Sequence, residues 1–303
     1  MKVLVTGAAG FIGSHVANYL EAQGFDVIRS DIVSTPEFHG AWRQADLTKI
    51  EEVLGITSDI EAICHVGGIG DVYFAATEPR TTMNTNATGT LNMLEAARRA
   101  ESIRFVYAST WEVYGPSKYE PVDEGHPCFP AHPYSISKLA GDLLVQAYGR
   151  NNSMESVVLR LGTAYGPRMR ETAVIPAFIL RAIRNEQIEV RGTGHQFRQF
   201  THVSDIARSF HLALVAKSPD SVYNIVAPEM TTIRELAELV AARFPVEIAY
   251  TEPRSDDAPS VPITSRHAEL RLGWKAEVPF RVGLDSLIDS VNPRPDDRES
   301  LRD

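Results

Sequence analysis

A tyrosine and a lysine four residues apart are the best candidates in this chain for acid–base chemistry. Tyr134 and Lys138 belong to the run Tyr-Ser-Ile-Ser-Lys, and the apolar spacing over 135–148 predicts a helix there. The two side chains therefore share one helix face. An ammonium group beside a phenol favours the phenolate and lowers the tyrosine pKa, so we expect Tyr134 to act as a general base. The alternative is a chance spacing, which many helices contain.

A second polar group follows a strand-like run. Residues 104–108 predict a buried strand that leads directly into Ser109, Thr110 and Glu112. Parallel strands present reactive groups at their carboxyl ends, so we expect both hydroxyls to share a proton network with Tyr134, as hydride removal from an alcohol carbon requires. The alternative is a pair of capping hydroxyls. Glu112 is either a solvated loop acid or a second acid/base group.

The element that positions a cofactor against these groups is the N-terminal turn. A strand-like run over 2–5 is followed by Thr-Gly-Ala-Ala-Gly-Phe-Ile-Gly over 6–13. Glycines spaced in this way let backbone N–H groups approach a pyrophosphate, and they begin a helix whose positive end faces the anion. The residues predicted to bind the phosphates are Gly7, Gly10, Phe11, Ile12 and Gly13.

The identity of the cofactor follows from the end of the next strand. A helix over 14–23 and a strand over 25–31 complete a βαβ unit that ends at Asp31. A carboxylate at this distance from the glycines holds the adenosine ribose hydroxyls and repels a 2′-phosphate. The sequence therefore predicts NAD rather than NADP. The alternative is a loop aspartate without a ligand.

Composition narrows the class of protein. The 303 residues are 44% hydrophobic and 23% charged, and no apolar run approaches the ~20 residues of a membrane helix. The chain begins with a strand, which predicts no secretory signal. Its 2 cysteines lack metal-ligand spacing and predict free thiols in a cytoplasmic protein without a metal site. A net charge of −9 argues against nucleic acid as a partner, and we expect no membrane partner.

The order of elements predicts the fold. Strand-like and helical runs alternate through the first half, which indicates an α/β fold with a Rossmann-type doubly wound parallel sheet. Shorter elements punctuated by proline and glycine follow residue 162 and predict a smaller, loop-rich C-terminal substrate lobe. We expect a cofactor-binding domain over 1–165, a substrate lobe over 166–291 and a weakly ordered tail over 292–303. Residues 200–216 are expected to pack back onto the first domain.

Taken together, these motifs resemble the extended short-chain dehydrogenase/reductase family, in its NAD-dependent nucleotide-sugar epimerase/dehydratase branch. The resemblance covers nearly the whole chain. It is carried by residues 6–13, Asp31, Asp46-Leu47, Asn86-Ala87-Thr88-Gly89-Thr90, the Ser109-Thr110 strand end, Tyr134 with Lys138, and Tyr165-Gly166-Pro167-Arg168. This set is specific for the family and much less so for the substrate.

The resemblance implies roles for further residues. It assigns the adenine contact to Asp46 and Leu47, the sugar hydroxyl to Thr110, and the nicotinamide ribose to Lys138, which also tunes Tyr134. Other residues implied to bind the cofactor are Val66, Gly67, Asn86 and Tyr134.

The resemblance also implies a substrate and a partner. The substrate is a nucleotide-diphosphate sugar, held by Arg198 and Arg254 with Thr163 and Arg168 nearby; two solvated surface arginines are the alternative. Planar guanidinium groups give a diphosphate bidentate, charge-assisted contacts. The partner is a second copy of the chain, paired through helices over 86–100 and 135–148.

Three departures from the family pattern bear on the reaction. Residues 67–70 predict a flexible loop beside the nicotinamide, Gly162-Thr163-Ala164 stands where many relatives place a phosphate-binding asparagine, and Trp111 replaces the acid of the dehydratases. We therefore predict an NAD-dependent epimerase that inverts C4 of a UDP-sugar through a keto intermediate. The alternatives are decarboxylation of a UDP-linked uronate with Glu112 as a catalytic residue, a coenzyme-releasing reductase, which Asp31 opposes, and a non-catalytic dinucleotide sensor.

Overall fold

The structure is a computed structural model that describes residues 1–33, 40–102, 104–151, 154–217, 219–252 and 261–291. The strands are β1 (Lys2–Thr6), β2 (Asp26–Asp31), β3 (Ala41–Gln44), β4 (Ala62–His65), β5 (Arg104–Thr110), β6 (Glu155–Leu161), β7 (Thr163–Tyr165), β8 (Ile188–Arg191), β9 (Phe197–Arg198), β10 (Phe200–His202), β11 (Val222–Ile225), β12 (Thr231–Thr232) and β13 (Ile248–Thr251).

Helices cover most of the remaining chain. The α-helices are α1 (Phe11–Ala22), α2 (Ile50–Thr57), α3 (Val72–Thr77), α4 (Pro79–Met83), α5 (Gly89–Arg99), α6 (Pro133–Asn151), α7 (Val174–Ile183), α8 (Val203–Val215), α9 (Ile233–Ala241), α10 (Arg266–Leu272) and α11 (Phe280–Val291). A π-helical turn (Asn84–Thr88) joins α4 to α5, and a 3₁₀ turn (Trp111–Tyr114) follows β5.

A seven-stranded parallel sheet forms the centre of the molecule, which confirms the predicted Rossmann-type fold. Its strand order is β11-β6-β5-β4-β1-β2-β3. The order reverses between β1 and β4, and ligands of such sheets bind at this point, beyond the carboxyl ends of the strands. The glycine turn after β1 and the polar residues at the end of β5 therefore lie at the binding edge.

Alternate residues of the strands pack into separate cores on the two faces of the sheet. Val3 and Val5 join a cluster with α1 and α8, whereas Leu4 faces a cluster with α2, α5 and α6. Ile206 and Phe210 of α8 belong to the first of these clusters, so residues 203–215 pack on the sheet of the N-terminal half. A third cluster lies among α7, α9, α11 and β8.

The strands at the two edges of the sheet, β3 and β11, are not predicted from the sequence. β3 and β11 contain four residues each and have one neighbouring strand. A short edge strand pairs without a long apolar run, so its sequence gives a weak signal. The tail over 292–303 lies outside the described residues. In the described part of the chain, no helix combines the length and the apolar character needed to cross a bilayer.

Candidate active site

The glycine turn brings β1, the loop after β4 and the start of α1 together. Gly7 has a φ of +68°, and a Cβ added there would lie 2.7 Å from Gly67 Cα. A Cβ on Gly13 would lie 2.0 Å from the Gly7 carbonyl oxygen. α1 begins after Gly10, and no side chain caps it. The first N–H groups of this helix therefore suit a pyrophosphate, and Gly7 and Gly13 keep the turn narrow enough to approach one.

Asp31 holds the same turn from the end of β2. Its carboxylate accepts hydrogen bonds from the N–H of Ala9 at 3.1 Å and of Ile32 at 2.8 Å, one on each oxygen. Each carboxylate oxygen can accept a further bond. The arrangement leaves Asp31 able to receive the ribose hydroxyls of a bound dinucleotide.

Asp46 and Leu47 lie along the same edge of the sheet. Asp46 lines an open groove with Ile32 and Lys49. Its carboxylate accepts bonds from the N–H and the hydroxyl of Thr48, which lower its pKa. The Leu47 side chain lies against the loop after β4, because a Cβ on Gly67 would be 3.0 Å from Leu47 Cδ1. The predicted adenine-binding residues are thus placed beside the end of β2.

A buried network fixes the ends of β1 and β4. The Thr6 hydroxyl lies 2.8 Å from His65 Nδ1 and accepts a bond from the N–H of Gly67 at 3.0 Å. His65 Nε2 lies 3.1 Å from the Thr90 hydroxyl. Burial lowers the pKa of His65 to about 3, so the ring is neutral. Val66 and Gly67 follow directly, and the network holds them beside the glycine turn.

Asn86 links the loop after β4 to α6. Its Oδ1 accepts the N–H of Ile69 at 2.7 Å, and its Nδ2 donates to the Ile69 carbonyl at 3.0 Å and to the Ser137 hydroxyl at 2.9 Å. The role of Asn86 in cofactor binding and the flexibility of the loop over 67–70 stay predictions.

Tyr134 and Lys138 lie on the first turns of α6, and both are largely enclosed. The Lys138 ammonium lies 4.3 Å from the centroid of the Tyr107 ring, and burial lowers its pKa to about 7. Burial raises the pKa of Tyr134, the charge of Glu112 raises it further, and Thr110 lowers it in part. The expectation that Lys138 lowers the Tyr134 pKa is therefore wrong for the protein groups alone, because desolvation of the phenolate dominates.

The two hydroxyls at the end of β5 have different hydrogen-bond partners. The Thr110 hydroxyl lies beside the Tyr134 phenol and accepts the N–H of Glu112 at 3.3 Å. The Ser109 hydroxyl instead donates to Asp142 at 3.0 Å. Of the two hydroxyls predicted to share a proton network with Tyr134, Thr110 thus lies beside the phenol, whereas Ser109 is bonded to Asp142.

Glu112 contacts a histidine that is not identified from the sequence. His132 Nε2 lies 2.9 Å from the Glu112 carboxylate. The His132 ring is nearly parallel to the Tyr134 ring, at 10°, with centroids 6.2 Å apart. A carboxylate and an imidazole thus flank the predicted base. The signal for His132 is its position two residues before the tyrosine.

The predicted substrate residues fall in two places. Thr163 and Arg198 line one pocket together with Trp111. Arg198 Nη1 also donates to the neighbouring Phe197 carbonyl at 2.8 Å. Arg168 lies in the turn after β7, at a φ of +70°.

Arg170 is an additional arginine near the predicted base. Arg170 pairs with Asp71 at 2.8 Å and lies close enough to Tyr134 to lower its pKa in part. Arg170 is not identified from the sequence, although it stands two residues after Arg168.

Arg254 lies outside the described residues. Among the described residues, no group of three His, Cys, Asp or Glu side chains could hold a metal ion.

Comparison with known proteins places this geometry in context. The model of the NAD dependent epimerase/dehydratase family matches residues 3–226. The chain is 31% identical over 299 residues to a putative UDP-glucose 4-epimerase of Methanocaldococcus jannaschii, covering 94% of this chain and 97% of that protein. It is 32% identical over 301 residues to UDP-glucuronic acid decarboxylase 1 of Xenopus tropicalis, covering 95% of this chain and 71% of that protein.

A solved structure is similar over the whole chain. It is a UDP-glucose 4-epimerase of Thermotoga maritima with UDP-glucose, which superposes with a TM-score of 0.91 at 28% identity and covers 99% of this chain and 100% of its own. The similarity therefore extends through the C-terminal half, beyond the residues that the family model matches.

Proposed function

This chain belongs to the NAD-dependent epimerase/dehydratase family, and from that premise we propose that it inverts C4 of a UDP-sugar through a transient keto intermediate. The observation that carries the proposal is the convergence of Tyr134, Lys138 and Thr110 at the end of β5, beside the glycine turn. The relatives described as UDP-glucose 4-epimerases support the choice of reaction.

The residues of this chain fit NAD. The uncapped start of α1 suits the pyrophosphate, Asp31 has acceptor positions for the ribose hydroxyls, and Lys138 is placed to hold the nicotinamide ribose. When bound, NAD supplies the hydride acceptor and a positive charge near the phenol. That charge offsets the burial that raises the pKa of Tyr134.

Thr110 and Tyr134 have separate roles in the proposed reaction of the sugar. Thr110 orients the C4 hydroxyl by a hydrogen bond, and Tyr134 Oη accepts its proton as the carbon is oxidised. After rotation of the keto sugar in the pocket, Tyr134 would return its proton to the C4 oxygen, and bound NAD would supply the hydride to the other face of C4. The cofactor would be restored in each turnover, so the reaction would need no external oxidant.

The pocket that contains Thr163 and Arg198 is the proposed seat of the nucleotide diphosphate. The Arg198 guanidinium gives the diphosphate charge-assisted bonds. Arg254 is proposed as a second phosphate ligand and Arg168 as a further substrate contact.

A panel of nucleotide sugars tests the reaction. The purified protein is incubated anaerobically with NAD and with UDP-, GDP-, CDP- and dTDP-sugars that include UDP-glucuronate, and the products are analysed by mass spectrometry and proton NMR. A product of unchanged mass with a new anomeric spectrum supports epimerisation. No turnover of any sugar, with no change on Tyr134→Phe, would favour a non-catalytic dinucleotide sensor.

A second candidate function is decarboxylation of UDP-glucuronate. The contact between Glu112 and His132 beside Tyr134 favours it, as does the similarity to a UDP-glucuronic acid decarboxylase. After oxidation at C4, the bond between C5 and the carboxylate would break and carbon dioxide would leave. Glu112 in its acid form would donate the proton that C5 of the enolate takes up, and the hydride would return to C4. Loss of carbon dioxide from UDP-glucuronate in the same panel would establish this reaction instead.

We further propose a homodimer paired through α5 and α6 that works in the cytoplasm. Apolar side chains are exposed on these helices, among them Leu91, Ile136 and Leu143. Burial of such side chains against a second copy would stabilise a two-fold, four-helix interface. Cys64 and Cys128 are free thiols, which suits a reducing compartment. Cell fractionation tests the location.

A further inference from the structure

We propose that Asp142 is a positioning residue of the active site: its buried carboxylate acts on Lys138, one helical turn away, and fixes the strand end that carries Thr110. The inference rests on the proposed roles of Lys138 and Thr110. It adds a residue that contacts neither the predicted cofactor site nor the substrate pocket, and that acts through its neighbours.

The geometry begins on α6. Asp142 is fully buried and stands one helical turn after Lys138, on the same face. Its carboxylate accepts bonds from Ser109 Oγ at 3.0 Å, Arg160 Nε at 3.0 Å and Gln146 Nε2 at 2.5 Å. The bond from Arg160 to this carboxylate is also a salt bridge. Asp142 thus places one carboxylate of that pair a helical turn away from the lysine.

The hydrogen bond from Ser109 connects Asp142 to the end of β5, beside the proposed reacting groups. Ser109 precedes Thr110 directly, so Asp142 ties the end of β5 to the helix that carries Lys138. Arg160 continues the network, since its Nη1 donates to Tyr114 Oη at 3.0 Å. Tyr114 in turn donates to Asn224 Oδ1 on β11 at 2.6 Å. The network joins α6 to three strands of the sheet.

Most other titratable groups that face this part of α6 are neutral. Burial lowers the pKa of His65, on β4, to about 3. Burial raises the pKa of Tyr107, on β5, and of Cys128, in the loop before α6. Glu112 faces Tyr134 from the 3₁₀ turn.

The remaining charges are Lys138, Arg160 and Asp142. Burial lowers the pKa of Arg160, but Asp142 and Tyr114 outweigh it, so the guanidinium stays charged. Arg160 is paired directly with Asp142, whereas the Lys138 ammonium lies over the Tyr107 ring. Burial lowers the pKa of Lys138 to about 7, and Asp142 opposes that shift. Without this carboxylate the lysine would lose its proton at a lower pH.

The test follows the pH dependence of NAD binding, which requires no knowledge of the sugar. NAD is titrated calorimetrically into the full-length protein, its Asp142→Asn variant and a Glu95→Gln control between about pH 5.5 and pH 8. Glu95 is an acid on α5 that the Tyr148 hydroxyl contacts, so the control removes one carboxylate near α6 away from Lys138. A lysine is charged below its pKa, so wild-type binding should weaken as the pH rises through about 7.

For Asp142→Asn, a decrease of about one pKa unit for Lys138 gives binding within about twofold of wild type at pH 5.5 and about tenfold weaker at pH 8. Glu95→Gln should follow the wild-type curve. Equal weakening of Asp142→Asn at every pH would overturn the proposal, because a purely structural defect has no such midpoint. Wild-type binding that does not vary with pH would also overturn it, whether or not the variant folds. Failure of the sugar panel alone would leave this result unaffected.

Discussion

Ser109 and Thr110 are neighbours on β5, yet their hydroxyls lie beside different residues of α6, Asp142 and Tyr134. Ser109 Oγ donates to Asp142 at 3.0 Å, whereas Thr110 Oγ1 accepts the N–H of Glu112 at 3.3 Å and lies beside the Tyr134 phenol. The Ser109 hydroxyl thus supports the site through Asp142, whereas the Thr110 hydroxyl lies beside the proposed base.

This separation predicts different kinetics for two matched substitutions. Thr110→Val removes the hydroxyl that orients the substrate and should lower kcat by about 10²-fold or more. Ser109→Ala leaves Thr110 in place and removes one bond to Asp142, so its kcat should fall by about tenfold or less. Steady-state kinetics on the sugar identified by the panel measures both. A larger loss for Ser109→Ala would reverse the assignment of the two hydroxyls.

Tyr134→Phe tests the general base. The substitution removes the phenolic oxygen and keeps the ring beside His132, so the protein should stay folded and bind NAD. Loss of the proton acceptor should reduce kcat by about 10²- to 10⁴-fold. Single-turnover reduction of bound NAD, followed by absorbance, isolates the step. Reduction at the wild-type rate would show that another group takes the proton.

Arg198→Met tests the nucleotide pocket. Loss of a guanidinium that bonds a diphosphate should raise KM by about tenfold or more and leave NAD affinity unchanged. The control is Arg181→Met, because Arg181 pairs with Glu189 at 2.8 Å on the surface. Such exposed pairs contribute little to stability, so the control should keep the wild-type KM. A KM for Arg198→Met equal to that of the control would remove Arg198 from the substrate site.

His65 should make the fold sensitive to acid. Its pKa is lowered from 6.5 to about 3 by burial, so the folded state holds the ring neutral while the unfolded chain binds a proton. The contribution of neutral His65 to the free energy of unfolding is fully present above pH 6.5. It is lost as the pH falls toward 3, at about 1.4 kcal/mol per pH unit. Urea unfolding at several pH values should show a smaller slope for His65→Gln than for His195→Gln, an exposed control. Equal slopes would contradict the assignment.

The sequence predicts the site best where it depends on local spacing. The glycine turn with Asp31, and Tyr134 with Lys138, each lie within one βαβ unit or one helix, and the structure brings them to one edge of the sheet. Contacts between distant segments are missed: His132 reaches Glu112, and Asp142 reaches Arg160, only through the tertiary fold. The spacing also gives no signal for the burial that raises the Tyr134 pKa in the protein alone, since burial depends on all the surrounding elements.

The proposed dimer gives a last test on α6. Ile136 and Leu143 are 45% and 53% exposed in the single chain. A carboxylate buried at an apolar interface without a partner is costly, so Leu143→Asp should convert a dimer into a monomer at micromolar concentration. Leu270→Asp is the matched control, because Leu270 is 67% exposed on α10, away from these helices. Analytical ultracentrifugation distinguishes the outcomes: a monomeric wild type, or a Leu143→Asp protein that remains dimeric, would show that α6 does not form the interface.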